Sequence, residues 1–280
     1  MEVPDFPPLI QIETNNKCNL RCRMCPITLG ENTRPDMDLN LFEKTMKDCS
    51  EYADQILLLG IFLLNEPLLD LQLADKIKLA KKYGINTYIA TNGELLSEDR
   101  ILELLDSGLD QIVISIESNR AEVHEKIRVG ANLDRVKQNI HNTLRLREKY
   151  KNPISIKLRP HVNEENRDEL NDFKDYWLSQ GVDQVAFPKL HNWGGKFGDI
   201  NPEKVGINVC DQLWKMMVIQ SDGNVCLCCL DSSGDYSLGN VAESSLYDIW
   251  HGEKYQDVRR QFSEKTLEKC LSCNWTPGDG

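Results

Sequence analysis

Short apolar runs alternate with amphipathic segments from residue 9 to about residue 190. The apolar runs predict β-strands at residues 9–14, 55–63, 86–90, 111–116, 154–159 and 184–187. Between them, apolar residues recur at helical spacing and predict helices at about residues 39–52, 71–83, 97–107, 133–150 and 165–180. Strands that alternate with helices through short connections indicate a parallel sheet covered by helices. Six such units are too few for a closed eight-stranded barrel, so an open α/β arrangement is expected.

The pattern changes at about residue 206. Residues 214–220 and 225–230 flank a Ser221-Asp222-Gly223-Asn224 turn and predict a β-hairpin. A helix capped by Ser244 or Ser245 follows the hairpin. We therefore expect two domains, a strand–helix core over residues 1–205 and a small hairpin-plus-helix domain over residues 206–280.

Composition and net charge favour a globular protein and disfavour membrane and nucleic-acid partners. A chain of 280 residues with 40% hydrophobic and 28% charged residues is typical of a globular protein, and no apolar run approaches the ~20 residues of a membrane span. The acidic, proline-rich N-terminus does not resemble a signal peptide, so we expect a cytoplasmic protein without a membrane partner. A net charge of −11 disfavours nucleic acid as a partner.

Ten cysteines in such a chain indicate metal or redox chemistry rather than disulfide bonds. Cys18, Cys22 and Cys25 lie in one short loop after the first predicted strand. Three thiolates do not complete a tetrahedral zinc site. They can hold a cubane [4Fe–4S] cluster that keeps one iron free of protein ligands. A zinc knuckle or three unrelated core thiols are the alternatives.

This CxxxCxxC loop resembles that of the radical S-adenosylmethionine (SAM) enzymes. The resemblance implies that SAM chelates the open iron and is cleaved to methionine and a 5′-deoxyadenosyl radical, which abstracts a hydrogen atom from a substrate. It also implies a partial (β/α)6 TIM-like barrel, a small-molecule substrate and a flavodoxin- or ferredoxin-type electron donor.

Several strand ends resemble SAM-contacting segments of that family. Asn65-Glu66-Pro67 resembles a Gly-Glu-Pro segment, with Asn65 in place of the usual glycine. The resemblance implies that the following residues, at or near strand ends, contact SAM: Asn65, Glu66, Pro67, Thr91, Asn92, Ser115, Glu117, Arg128, Phe187 and Pro188. Among these, Glu66 faces the amino group, Arg128 the carboxylate, and Phe187 with Pro188 the adenine. Ordinary strand-end turns and a solvated Arg128 are the alternatives.

A second group of cysteines lies in the tail. Its spacing resembles the "twitch" half of the SPASM extension of radical SAM enzymes, within which the likeness is greatest to enzymes that oxidise a cyclitol alcohol. The resemblance implies one auxiliary [4Fe–4S] cluster held by Cys210, Cys228, Cys270 and Cys273. A four-thiolate zinc site is the alternative.

Two further tail cysteines, and some residues of the predicted barrel, are candidates for catalysis. Cys226 could be an alternative cluster ligand, and Cys229 could donate a hydrogen atom, although both could be inert buried thiols. Arg159 shares a strand face with Lys157, and these cations could bind the SAM carboxylate or an anionic substrate or pair with a glutamate. His191 could be a general base or a structural histidine.

These features allow several functions. We expect a radical SAM enzyme that oxidises an alcohol or amine of a sugar- or cyclitol-like molecule, with the auxiliary cluster as electron acceptor. A redox-neutral epimerase with a cysteine hydrogen donor is the runner-up. Peptide modification is disfavoured because only 17 residues precede Cys18, too few for a leader-binding domain. A zinc-stabilised binding module would leave the first cysteine loop unexplained.

Overall fold

The computed structural model describes residues 1–30, 34–151, 153–200 and 210–275. Its strands are β1 (Leu9–Ile12), β2 (Arg21–Cys22), β3 (Leu58–Gly60), β4 (Thr87–Thr91), β5 (Gln111–Ile114), β6 (Arg128–Val129), β7 (Ser155–Leu158), β8 (Gln184–Val185), β9 (Met216–Ile219), β10 (Asn224–Cys226) and β11 (Ser237–Asn240). Its helices are α1 (Leu39–Ser50), α2 (Leu73–Lys82), α3 (Glu98–Ser107), α4 (Ala121–Ile127), α5 (Leu133–Arg147), α6 (Leu170–Ser179), α7 (Gln212–Lys215), α8 (Leu246–His251), α9 (Glu253–Ser263) and α10 (Glu268–Leu271).

One nine-stranded sheet runs through the molecule in the order β11-β10-β9-β1-β3-β4-β5-β7-β8. The strands from β1 to β8 in this order are parallel to their neighbours, as expected for strands joined by helices. The predicted α/β class and the parallel sheet are therefore confirmed. All six predicted core strands are present; five are shorter than their apolar runs, and β4 has the predicted length but lies one residue later.

The tail hairpin belongs to the same sheet. Strand β9 pairs in parallel with β1, from Leu9 opposite Met216 to Ile12 opposite Ile219. Strands β10 and β11 then continue antiparallel, so the predicted hairpin is formed by β9 and β10. The predicted domain boundary at residues 205 and 206 lies outside the described residues and stays a prediction.

Capping residues delimit several helices. Ser97 caps α3 by accepting a hydrogen bond from the backbone N–H of Arg100, and Gly108 ends that helix with a φ of +79°. The sequence analysis missed α4, which is a separate seven-residue helix between β5 and α5. Its N-cap residue, Arg120, makes no side-chain cap bond, so the usual start signal is absent.

Side-chain alternation along the strands separates the hydrophobic core from an inner cavity. Ile10 and Ile12 of β1 are buried in the core that the helices form on the outer face of the sheet. Gln11, between them, lines the cavity on the opposite face. Polar residues on this inner face are thus held by strands whose outer face is anchored in the core.

A buried ion pair holds the tail against β1. Glu13 accepts hydrogen bonds from Arg34 Nε at 3.0 Å and from the backbone N–H of Ser221 at 3.3 Å. Arg34 also donates to the carbonyl of Ser232 at 3.2 Å. Burial raises the pKa of Glu13, although Arg34 opposes this effect. Glu13 therefore depends on Arg34 to stay ionised in this buried position.

We expect Arg34→Met to lower the free energy of unfolding by about 3–5 kcal/mol, because it leaves Glu13 buried without a counter-ion. The double variant Glu13→Gln/Arg34→Met should recover part of the loss. Chemical denaturation followed by circular dichroism measures both. As a control, Lys17→Met removes the exposed pair with Asp36 and should cost at most about 1 kcal/mol. Equal losses in Arg34→Met and Lys17→Met would show that the buried pair contributes nothing.

Candidate active site

The carboxyl ends of the parallel strands surround a cavity with about 1520 Å³ of empty space, part of it open to solvent. We call it the central cavity. Twelve of the residues proposed from the sequence line it: Cys18, Cys22, Cys25, Asn65, Glu66, Thr91, Asn92, Ser115, Arg128, Arg159, His191 and Cys229. Parallel strands deliver their C-terminal residues to one edge, which explains why residues so distant in sequence meet.

The cysteine loop is fixed to the barrel by a short two-stranded sheet. Cys22 in β2 is opposite Arg128 in β6, and Arg128 Nη1 lies 3.7 Å from Cys22 Sγ. On the other side of the loop, Trp193 Nε1 donates to the carbonyl of Met24 at 2.8 Å. Asn92 donates to Asn19 Oδ1 at 2.9 Å. The loop is therefore held from three directions.

Arg128 is neutralised by a buried carboxylate. Glu117, which is fully buried, accepts from Arg128 Nε at 2.9 Å and from Arg128 Nη2. The same carboxylate accepts from the backbone N–H of His161 at 2.7 Å. Burial alone raises the pKa of Glu117, but Arg128 and His161 outweigh burial and lower it to about 2. The pair thus stays charged at neutral pH.

Glu66 is the carboxylate of the central cavity, and its oxygens are engaged. Oε1 accepts from Thr91 Oγ1 at 2.6 Å and from the backbone N–H of Leu68 at 3.1 Å. Oε2 accepts from the backbone N–H of Asn92 at 2.8 Å. Burial raises the pKa of Glu66, and these hydrogen bonds oppose the effect. The turn after β3 and the end of β4 are thereby locked together.

Asn65 occupies the position at which the Gly-Glu-Pro segment that it resembles has glycine, and its side chain makes contacts that glycine could not make. Its Oδ1 accepts from the backbone N–H of Leu63 at 2.8 Å and closes the turn after β3. Its Nδ2 is buried and has no acceptor among the described residues. The amide therefore offers a donor at the cavity wall.

Four residues proposed to contact SAM do not line the central cavity: Pro67, Glu117, Phe187 and Pro188. Pro67 starts a short 3-10 helix, and Glu117 acts through Arg128. Pro188 is buried and accepts from the backbone N–H of Val162, while Phe187 packs against the core. Beyond them in the chain, Leu190, His191 and Trp193 reach the cavity instead.

Further residues line the inner face of the barrel. Arg159 follows β7, and its backbone N–H donates to Ile114 O at 3.1 Å. Tyr88 of β4 contacts Phe62 edge to face at 5.0 Å between ring centroids. Burial raises the pKa of Tyr88 to about 12. His191 contacts Trp193 edge to face at 4.8 Å.

A second, smaller cavity lies behind the central cavity, and we call it the tail cavity. All four tail cysteines proposed as cluster ligands line it: Cys210, Cys228, Cys270 and Cys273. Burial raises the pKa of each of these thiols. Lys269 helps to assemble the site, since its Nζ pairs with buried Asp231 at 2.8 Å. Asp231 in turn donates its backbone N–H to Cys228 O at 3.0 Å.

The two remaining tail cysteines have different surroundings. Cys229 lines both cavities, together with Gln212, Leu230 and Trp275, so these four residues form the wall between them. Cys226 is fully buried and lines neither cavity, and its thiol donates to Cys228 O at 3.6 Å. The structure therefore places Cys229, and not Cys226, against the central cavity.

The two sets of thiols fit groups larger than a single ion. Among the described residues, no three Cys, His, Asp or Glu side chains come close enough to share one metal ion. The cysteines instead surround two cavities, with three thiols at the first and four at the second. Thiolates are the usual ligands of iron–sulfur clusters, so the chemistry of both donor sets fits such groups.

Comparison with known protein families agrees with this geometry. Residues 12–174 match the radical SAM superfamily, and residues 210–274 match SPASM, an iron–sulfur cluster-binding domain. The chain belongs to the radical SAM superfamily. It therefore combines a SAM-binding radical domain with a C-terminal iron–sulfur domain, and the alternative of a zinc-stabilised binding module is set aside.

Individual relatives have several activities. The chain is 27% identical to the tungsten-containing aldehyde ferredoxin oxidoreductase cofactor-modifying protein of Pyrococcus furiosus, over 95% of this chain and 86% of the relative. It is 24% identical to the S-adenosyl-L-methionine-dependent 2-deoxy-scyllo-inosamine dehydrogenase of Niallia circulans, over 95% and 92%.

Solved structures confirm the fold. The chain matches this dehydrogenase, BtrN, in complex with AdoMet and 2-DOIA, with a TM-score of 0.69 at 20% identity over 98% of this chain and 95% of BtrN. It also matches SuiB of Streptococcus suis bound to the precursor peptide SuiA, with a TM-score of 0.76 at 16% identity over 96% and 71%.

The sequence analysis missed several residues of the site. Tyr88 and Gln11 line the central cavity from the inner face of β4 and β1. Their alternation with buried apolar residues was a usable signal. Gln212 and Asp231 had no such signal, because a loop or a single helical turn carries them.

Within the described residues, no helix combines the length and the apolar character that crossing a membrane requires.

We expect Glu117→Gln to lower the free energy of unfolding by about 3–5 kcal/mol at pH 7, since Arg128 loses its buried counter-ion. Chemical denaturation measures this loss. In the wild type, the lowered pKa of Glu117 adds to the free energy of unfolding. This contribution is fully present above about pH 4.5 and is lost as the pH falls through about 2. It should therefore not vary between about pH 6 and 9. Glu98→Gln, which removes an exposed pair with Arg145, is the control. A loss no greater than in this control would contradict the assignment.

Proposed function

We propose that this protein is a radical SAM dehydrogenase that oxidises an alcohol or amine of a sugar- or cyclitol-like small molecule. The observation that supports it most is the arrangement of the two thiol sets in adjoining cavities that share a wall. A substrate in the central cavity would lie between the SAM site and the auxiliary site. The relation to 2-deoxy-scyllo-inosamine dehydrogenase, over 95% of this chain, supports the same reaction class.

The metal ligands follow from this proposal. Cys18, Cys22 and Cys25 hold the cluster that binds SAM. An auxiliary cluster is held by the cysteines of the tail cavity: Cys210, Cys228, Cys270 and Cys273. When bound, the first cluster with SAM supplies the chemistry that removes a hydrogen atom, and the second supplies an acceptor for one electron.

The chain's own residues bind and orient the reactants. The carboxylate of Glu66 keeps acceptor capacity beyond its three hydrogen bonds, and Asn65 has a donor with no acceptor among the described residues, so the two residues offer an acceptor and a donor to the polar groups of SAM. Arg128, held by Glu117, stays charged beside the cysteine loop. His191 lines the cavity and takes the proton that an alcohol or amine loses on oxidation. Tyr88 and Trp193 form part of the wall that surrounds the substrate.

Iron, sulfide and zinc analysis of the anaerobically reconstituted protein tests the ligand assignment. We expect about eight irons per chain, and about four in the Cys18→Ala/Cys22→Ala/Cys25→Ala variant. That variant should also form no 5′-deoxyadenosine. The double variant Cys270→Ala/Cys273→Ala should likewise keep about four irons. About four irons with one zinc in the wild type would make the tail site structural and contradict oxidation through it.

Product analysis separates oxidation from SAM cleavage. We expect Cys273→Ala to form 5′-deoxyadenosine but no oxidised product, because the electron acceptor is damaged while the SAM site is intact. Turnover of substrate at the wild-type rate would contradict the dehydrogenase. Cys49→Ala is the matched control, since Cys49 is fully buried in α1 and lines neither cavity.

One observation favours a second function, redox-neutral epimerisation. Cys229 lines the cavity in which a substrate radical would form, so its thiol could return a hydrogen atom to that radical. In deuterated water an epimerase transfers deuterium from the exchanged thiol to carbon, whereas a dehydrogenase does not. Incorporation of deuterium that Cys229→Ala abolishes would select epimerisation, and absence of deuterium in the wild-type product would exclude it.

A further inference from the structure

The inner face of the barrel carries a cation that no carboxylate of the described residues neutralises. Arg159 lines the central cavity. Its Nε atom is buried without an acceptor, and no Asp or Glu within the described ranges forms an ion pair with it. Arg128, the other arginine of the cavity wall, is paired with Glu117. An unpaired buried charge is costly, so a partner from outside the chain is expected at Arg159.

The neighbours of Arg159 do not supply that partner. Among the described residues that line the central cavity, Glu66 is the sole carboxylate, and Thr91 and Asn92 engage both of its oxygens. Tyr88 is a neutral phenol at physiological pH, and burial raises its pKa further, to about 12. It can donate a hydrogen bond but provides no negative charge.

A second cation adds to the positive charge near Arg159. Lys157 lies two residues before Arg159 and is half-buried. Burial, and then the like charge of Arg159, lower the pKa of Lys157. Lys157 in β7 and Arg159 just beyond its end are two residues apart and so lie on the same side of the chain, where their combined charge attracts an anion.

Gln212 indicates a further property of the ligand. It lines the central cavity at the wall shared with the tail cavity. Its Oε1 is buried and has no donor among the described residues. A buried carbonyl oxygen of this kind is satisfied by a hydroxyl or amine hydrogen of a ligand.

We propose that the substrate is a hydroxylated anion, whose carboxylate or phosphate group pairs with Arg159 while one of its hydroxyl groups donates to Gln212. The planar guanidinium forms two parallel hydrogen bonds with either group. This inference rests on the proposed function, because it names the substrate class of the same cavity. It sets the substrate apart from neutral or purely cationic cyclitols.

Anion binding to the SAM-loaded, reconstituted holoenzyme tests the proposal. Inorganic phosphate is titrated calorimetrically into the wild type and into Arg159→Gln in an anion-poor buffer. We expect saturable phosphate binding by the wild type that Arg159→Gln weakens by about tenfold or more. Lys174→Gln is the matched control, because it removes an exposed cation of α6 that does not line the cavity. It should change the affinity by no more than about twofold.

Two results would overturn the proposal. One is phosphate binding that is absent from the wild type or equal in Arg159→Gln. The other is a loss of SAM affinity of about tenfold in Arg159→Gln, which would assign this arginine to the SAM carboxylate. These readouts are binding constants, so they are independent of the iron content and SAM cleavage that test the proposed function.

A parallel titration with acetate distinguishes the two anion chemistries. Acetate binding as strong as phosphate binding, with the same dependence on Arg159, supports a carboxylate substrate. Binding of phosphate alone supports a phosphate ester.

Discussion

The buried pair of Arg128 and Glu117 is the interaction on which the SAM end of the site depends. It joins the cysteine loop, through the β2–β6 pairing and the contact to Cys22, to the end of β5. His161 adds a hydrogen bond from the segment after β7. A charged pair that crosses three segments fixes their relative positions, because removal of either partner leaves a buried charge. The loop that carries the proposed cluster ligands is therefore held before any cofactor binds.

The continuous sheet explains how a second metal site can lie beside the first. Because β9 pairs with β1, the tail starts at the strand that leads into the N-terminal cysteine loop. The Glu13–Arg34 pair reinforces this junction from the inner side. The cysteine-bearing tail is thereby placed against the barrel opening, where Cys229 and Gln212 separate the two cavities. The shared wall is a consequence of strand order.

Some residues and elements could be placed from the sequence alone, and others could not. Cysteines have few roles in a chain of this composition, so their spacing and the resemblance that it carries predicted two sets, which the structure places at two cavities. The positions of the core strands were predicted because apolar runs mark them, although most of these strands end earlier than predicted. The adenine contact expected at Phe187 and Pro188 stays a prediction: β8 ends two residues earlier than its apolar run, and neither residue lines the central cavity. Helix α4 lacked a capping signal and was missed.

The sequence by itself determined the fold class, the superfamily and the two cysteine sets, because periodicity and ligand spacing are local properties of the chain. Tertiary structure decided which side chains face the cavities and which are neutralised. Cys226 and Cys229 are three residues apart and chemically identical, yet only packing places Cys229 alone at the wall. Likewise, Arg128 and Arg159 differ in function because one meets Glu117 and the other meets no carboxylate among the described residues. Charge compensation depends on distances across the fold, which no local pattern encodes.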